Sequence, residues 1–151
     1  MNIRKANLED VEVIHELVNY YAHKGLMLAR SRSILYEYIR DFAILEDENG
    51  DVLGVGALHI LWNDLAEVRT LAVKEEAFGT GIGKKLVEFF IAEAKTLGIP
   101  KVFTLTYQPG FFSKVGFVEV HKDTMPHKVW KDCINCSKFP NCDEVCMEIA
   151  V

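Results

Sequence analysis

Val11, Ile14, Leu17, Val18 and Tyr21 recur at intervals of three and four residues, the period of one face of an α-helix. Asn7, with Asp10 three residues on, offers a cap at its start, and the alternating NIRKA ahead of it has the period of a short strand. Gly25 breaks the helical period. KGLMLARSRS then reads as a loop or helix start, and Ser31 or Ser33 opens a second short helix through Leu35, Tyr38 and Ile39. FAILEDENGDVLGVGALHIL is two apolar runs around an Asn-Gly pair, which is a hairpin signal. LAEVRTLAV is a strand-length run rich in β-branched and apolar residues. Beyond a glycine-rich break, Ile82, Leu86, Phe89, Phe90 and Leu97 return to the helical period, which Gly98 and Pro100 end. KVFTLTY, FFSKV and FVEV continue as strand, short helix and strand, and after a stretch with few apolar runs VCMEIAV reads as a final strand. No repeat, low-complexity tract or linker interrupts this order, which predicts one mixed α/β domain.

Bulk properties narrow the function classes. At 151 residues, 50% apolar and 26% charged, the chain has the make-up of one soluble globular domain with a full core. A formal net charge of -5 argues against a generic nucleic-acid binder, which needs a basic face. The opening MNIRKANLEDVEVI interleaves charges with apolar residues, unlike a signal peptide, and no apolar run nears the ~18 residues of a membrane span. The expected location is the cytoplasm, with neither nucleic acid nor membrane as partner.

AFGTGIGKK, residues 77 to 85, joins the end of a strand to the start of the long helix and removes the side chain at Gly79, Gly81 and Gly83. Bare backbone at a helix N-terminus suits a phosphate, because the first amides are unpaired and the helix dipole adds about half a positive charge. The alternative is a turn that needs only positive φ or tight packing. A Walker-type loop is excluded by the spacing and by the missing Ser or Thr, and the dinucleotide fingerprint by the position of the turn after three or four strands.

The run LAVKEEAFGTGIGKKLVEFFIAEAKTLGIPKVFTLTYQPGFFSKVGF resembles the GNAT superfamily of acetyl-CoA-dependent N-acetyltransferases, and the resemblance covers nearly all of residues 1–151, within which 126–146 is a Cys-rich C-terminal segment. It implies a single-domain fold with a mixed central sheet of six to seven strands, a splayed central strand and about four helices, with acetyl-CoA as cosubstrate. In that family the turn has the form Arg/Gln-x-x-Gly-x-Gly/Ala. Gly81 and Gly83 match it, Gly79 falls at a commonly glycine position, and Phe78 replaces the usual Arg or Gln. The resemblance implies that the backbone of Phe78, Gly79, Thr80, Gly81, Ile82, Gly83 and Lys84 holds the pyrophosphate. Leu71, Ala72 and Val73 would pair through their main chain with the pantetheine arm.

Three stretches, GLMLARS, AEVRTLAV and HKVWKDCINCSKFPNCDEVCM, resemble more narrowly the short bacterial N-acetylglutamate synthases. The implied reaction is acetyl transfer from acetyl-CoA to the α-amine of L-glutamate, with glutamine as a second substrate, by direct attack in a ternary complex. This is the first step of arginine biosynthesis. A small-molecule amino acid is the expected partner, and a homodimer is an open alternative to a lone chain. The rival readings are another acceptor, such as a polyamine or a protein N-terminus, or a non-catalytic acetyl-CoA-binding module. The basic KGLMLARSRS favours an anionic acceptor.

Attack of a neutral amine on a thioester asks for a proton acceptor, donors for the thioester oxygen and a proton source for the thiolate. Glu67 is the candidate base, acting through water; its alternative is a surface carboxylate paired with Arg69. A backbone N–H near Leu71 or Ala72 would meet the oxygen. Where the superfamily often carries a Tyr on its closing helix this chain has Phe111 and Phe112, so Tyr107 is the candidate acid, against a ring that merely packs. Arg30, which matches an arginine of the synthase pattern, and Arg69 are the candidate carboxylate-binding residues, since an Arg fork engages both oxygens, with Arg32 weaker. His59 and His127 are read as structural.

The four cysteines fall at Cys133, Cys136, Cys142 and Cys146. Their spacing permits a structural zinc, while the position of Cys146 in VCMEIAV equally fits a small buried side chain.

Overall fold

The computed structural model describes residues 1–126 and 144–151. Strand β1 (Asn2–Lys5) leads to helix α1 (Val11–His23), then α2 (Arg32–Glu37) and strands β2 (Phe42–Glu46), β3 (Val52–Trp62) and β4 (Leu65–Val73). Helix α3 (Ile82–Leu97) follows, then β5 (Lys101–Thr106), α4 (Pro109–Val115), β6 (Val118–Val120) and β7 (Val145–Ala150). The seven strands form one sheet in the order β1-β2-β3-β4-β5-β7-β6. Its strand pairs are antiparallel except β4 with β5, which are parallel and joined by the α3 crossover. No helix among the described residues is long and apolar enough to cross a membrane.

The helix starts follow local chemistry. The Asn7 side chain accepts from the Glu9 amide and Asp10 from the Asn7 amide at 2.7 Å, a capping box ahead of α1, and the two terminal guanidinium nitrogens of Arg4 donate to Asp10 at 2.9 Å. Ser31 caps α2 through the Ile34 amide. The β2–β3 loop spans residues 47–51 and is longer than a two-residue Asn-Gly turn. The Asp47 carboxylate accepts from the amides of Asn49 and Asp51, a local bond set that competes with the tight turn.

Helices cover both faces of the sheet. The apolar stripe of α1, with Leu35 of α2, packs on Val55, Ala57 and Ala72. On the other face Leu86, Val87 and Phe90 of α3 pack on Leu58, Val68 and Val102. Gly54 and Gly56 let α3 sit close to β3, since a Cβ at Gly56 would lie 2.8 Å from the Phe90 ring.

Candidate active site

β4 and β5 pair only at Ala66–Val102 and Glu67–Phe103. At the next rung the Thr104 hydroxyl, buried, donates to the Val68 carbonyl at 2.8 Å, so a side chain satisfies the group that the ladder abandons. Beyond it the two strands part.

A second irregularity lies in the same stretch of β4. Val55 pairs with Ala72 and Ala57 with Arg69, so Thr70 and Leu71 stand opposite Gly56 alone, a β-bulge. Thr70 has φ +58°, a left-handed conformation that a β-branched residue seldom adopts. The bulge shifts the alternation by one. Ala66 and Val68 face α3 before it, and Leu71 and Val73 do so after it, while Ala72 turns to the α1 side. Such strain belongs at sites where backbone must be aimed rather than merely paired. The bulge leaves the β4 edge from Arg69 to Val73 unpaired with β5, and Tyr21 from α1 donates its hydroxyl to the Val73 carbonyl. Burial, then the nearby Glu75 carboxylate, push the Tyr21 hydroxyl above its usual pKa, which keeps it a donor.

The glycine turn follows directly. Gly79 (φ +79°) and Gly81 (φ +84°) are left-handed, and a Cβ on either would meet nothing within 4 Å, so backbone conformation alone demands glycine there. Gly83 serves another purpose. A Cβ there would lie 3.1 and 3.3 Å from the Phe111 ring of α4, which packs against the start of α3. The Thr80 hydroxyl donates to Ala77 O, and Phe78 is 59% exposed. The amides of residues 79–84 donate to no backbone acceptor among the described residues, and the first such bond into the turn is Lys85 to Gly81 O at 3.0 Å. Left-handed glycines feeding a helix N-terminus form a concave array of N–H donors, which fits a pyrophosphate.

Glu67 lies where the strands part and is only 9% exposed, so it is no surface carboxylate. Arg69, two residues on, holds its guanidinium 5.8 Å from the centroid of the Tyr38 ring. Arg30 stands apart in sequence, in the loop between α1 and α2. There the Asn19 side chain grips its backbone on both sides, donating to Arg30 O at 2.9 Å and accepting from Arg30 N at 3.3 Å. Tyr107 follows β5 immediately and is half-buried, and Phe112 is buried between Phe111 and Phe117 in an edge-to-face row. Sequence reasoning missed Asn19, Tyr38, Thr70 and Thr104. Only Asn19, a polar residue inside an apolar helical period, carried any signal.

Cys133, Cys136 and Cys142, with His127, lie outside the described residues. Among the described residues no group of three or more His, Cys, Asp or Glu side chains is placed to hold a metal, and nothing there supports zinc. Cys146 is 1% exposed and packs with Leu65, Phe103 and Met125. Burial, then Glu148 and Glu67, push its thiol up to about 11, as expected of a packed thiol.

Comparison with known proteins agrees with this geometry. Residues 39–119 match the family model described as an acetyltransferase (GNAT) domain. An uncharacterized N-acetyltransferase of Chlorobaculum tepidum is 42% identical over 145 residues, covering 96% of this chain and 93% of that one. An amino-acid acetyltransferase of Mycobacterium tuberculosis is 38% identical, covering 86% of this chain and 75% of its own length. Among solved structures, a Mycobacterium tuberculosis protein in complex with CoA superposes with a TM-score of 0.85 at 32% identity, over 100% of this chain and 99% of that one. N-acetylglutamate synthase from Neisseria gonorrhoeae, complexed with coenzyme A and N-acetyl-glutamate, superposes with a TM-score of 0.89 at 28% identity, over 99% of this chain but only 34% of its own. The chain thus belongs to the GNAT acetyltransferases, enzymes that transfer an acetyl group from acetyl-CoA to an amine.

Proposed function

We propose that the acceptor is the α-amine of an amino acid, L-glutamate first and glutamine second, which would make the reaction the entry step of arginine biosynthesis. The observation that carries this reading is the 38% identity to an amino-acid acetyltransferase over 86% of the chain, a span that includes β4 and the arginine loop. The full relation to the Neisseria synthases is partial, since this chain spans about a third of their length.

Acetyl-CoA supplies the activated acetyl group, and the chain's own residues do the rest. The amides of residues 79–84 hold the pyrophosphate, and the main chain of Leu71, Ala72 and Val73 holds the pantetheine arm along the unpaired edge of β4. Glu67, buried at the base of the splay, removes a proton from the substrate ammonium through water, because only the neutral amine has a lone pair to attack. A backbone N–H next to the Thr70 bulge donates to the thioester oxygen, a fixed dipole that needs no reorganisation. Phe111 and Phe112 offer no proton where a Tyr is usual, so the departing sulfur is left to Tyr107 or to water. Arg30, fixed by Asn19, and Arg69, laid on Tyr38, bind the two carboxylates of glutamate.

Thiol release from acetyl-CoA across a panel of amino acids and amines tests the acceptor. Turnover with glutamate or glutamine above all other acceptors is expected, and none with either would sink the claim. Arg30→Ala should raise KM for glutamate about tenfold or more, the loss of one charge-assisted carboxylate contact; an unchanged KM removes Arg30 from the site.

A further inference from the structure

His59 on β3 stands directly across the ladder from Glu67 on β4. Opposed residues of an antiparallel pair share a face, with Cβ atoms about 4.5–5.5 Å apart. The alternation of β3 confirms which face this is, because Leu58 packs under α3 while Ala57 packs on the α1 side. His59 is then held from a third element. Its Nδ1 lies 2.7 Å from Asp41 Oδ2, in the helical turn Ile39–Asp41 that follows α2, and the Tyr38 ring stands edge-on to the imidazole at 5.5 Å. Arg69 covers the same Tyr38 ring. One imidazole, two carboxylates, a phenol and a guanidinium thus gather on one face of β3 and β4.

Burial separates the members of this group. Glu67 is 9% exposed, whereas the side chains of His59 and Asp41 keep 22% and 23% of their surface. We infer that His59, oriented by Asp41, relays to solvent the proton that Glu67 takes from the acceptor ammonium. The inference rests on the reading of Glu67 as the base.

The proton count makes an exit necessary. An ammonium acceptor loses two N–H protons when its amide forms, and the departing CoA sulfur takes one of them. The other bonds first to a Glu67 oxygen and must leave before the next turnover. In this scheme the buried Glu67 hands that proton on to the imidazole opposite it, which keeps part of its surface in solvent. Asp41 holds the ring proton on Nδ1, so the lone pair of the neutral imidazole is on Nε2, ready to accept from Glu67 and then to release to solvent. His59 is a positioning and relay residue in this scheme, with no contact to the acetyl group.

The rival role is a tie that pins the Ile39–Asp41 turn to the sheet, and rescue by a small base separates the two. The full chain is assayed with the fastest acceptor of the panel above. His59→Ala should lower kcat by roughly 10²-fold, the low end for an acid–base group, while KM for acetyl-CoA stays within about twofold. Exogenous imidazole should restore part of that kcat with saturation, because the deletion leaves a solvent-reachable gap. His59→Gln, which keeps a donor for Asp41 but cannot pass a proton, should lose as much and show no rescue. A His59→Gln enzyme with kcat within about twofold of the parent overturns the relay, as does a folded His59→Ala enzyme that imidazole fails to restore. Glu67→Gln separates the two levels of the argument. Full activity there sinks the base and the relay together, whereas an inactive Glu67→Gln beside a fully active His59→Ala sinks the relay alone.

Discussion

Three glycines within five residues serve two physical ends, and substitution by alanine should separate them. Gly81 is left-handed, and its added Cβ would meet nothing within 4 Å. The whole cost of Gly81→Ala is therefore conformational, about 1–2 kcal/mol for an L-residue in that region. No neighbour can move to relieve it. Gly83 lies inside α3, where alanine would gain up to about 1 kcal/mol of helix propensity. Against this gain its Cβ would sit 3.1 and 3.3 Å from Phe111, closer than the ~3.5–4.0 Å of an ordinary carbon contact. Phe111 cannot simply swing away, because its ring is backed by Phe112 at 5.0 Å and Phe112 by Phe117 at 5.1 Å between centroids. Overpacking of this kind costs about 1–3 kcal/mol, which leaves a net loss of about 1 kcal/mol.

The two losses respond differently to Phe111→Leu, which removes the ring edge. In the Gly83→Ala background it should recover roughly 1–2 kcal/mol relative to its effect alone, a coupling typical of residues in contact. In the Gly81→Ala background the two changes should add within about 0.5 kcal/mol. Urea denaturation of the parent, the three single and the two double variants measures both couplings. Thermal melts give a second scale, at about 2–4 °C per kcal/mol for a chain of this size. Gly81→Ala should also raise KM for acetyl-CoA about tenfold, or ~1.4 kcal/mol, because the amide array depends on its dihedral. Equal coupling in both backgrounds, or a Gly83→Ala protein more stable than the parent, would refute the division.

Thr104→Val strands the Val68 carbonyl at the splay and should cost about 1–3 kcal/mol in denaturant unfolding; a loss below about 0.5 kcal/mol would show that the bond is replaceable. Burial works to raise the Asp10 carboxyl, but hydrogen bonds from Arg4 and the Asn7 amide outweigh it and hold it below its ordinary value. A depressed carboxylate stabilises the fold above its unfolded-state range, about pH 4, and that contribution fades as pH falls through the lower folded value. Stability of Asp10→Asn should therefore fall less steeply below about pH 4 than that of the parent, and parallel curves would contradict the assignment. The Cys146 peptide should resist iodoacetamide at about pH 8 in the folded protein, its thiol being buried and pushed up to about 11; labelling at the rate of an exposed cysteine would place it elsewhere.

What could be read from the chain follows from how locally each feature is determined. The stripe of α1, its capping box, the end of α3 at the left-handed Gly98 and the strand-turn-helix around residues 77–85 are set by residues within a few positions of one another. Periodicity and cap chemistry suffice for these. Thr70 is the opposite case. Its type favours a strand, LAEVRTLAV reads as an unbroken one, and the left-handed kink exists because β3 offers one residue where β4 offers two. Pairing across the sheet overrides the local preference, so a single-chain pattern carries no trace of it. Thr104 at the splay and Asp41 behind His59 are illegible for the same reason, since each acts on a residue 36 or 18 positions away. The sequence pattern therefore locates the glycine turn proposed to cradle the acetyl donor, whose parts are contiguous. The proposed acceptor side, drawn from α1, the turn after α2, β3 and β4, becomes visible only once the sheet has set its register.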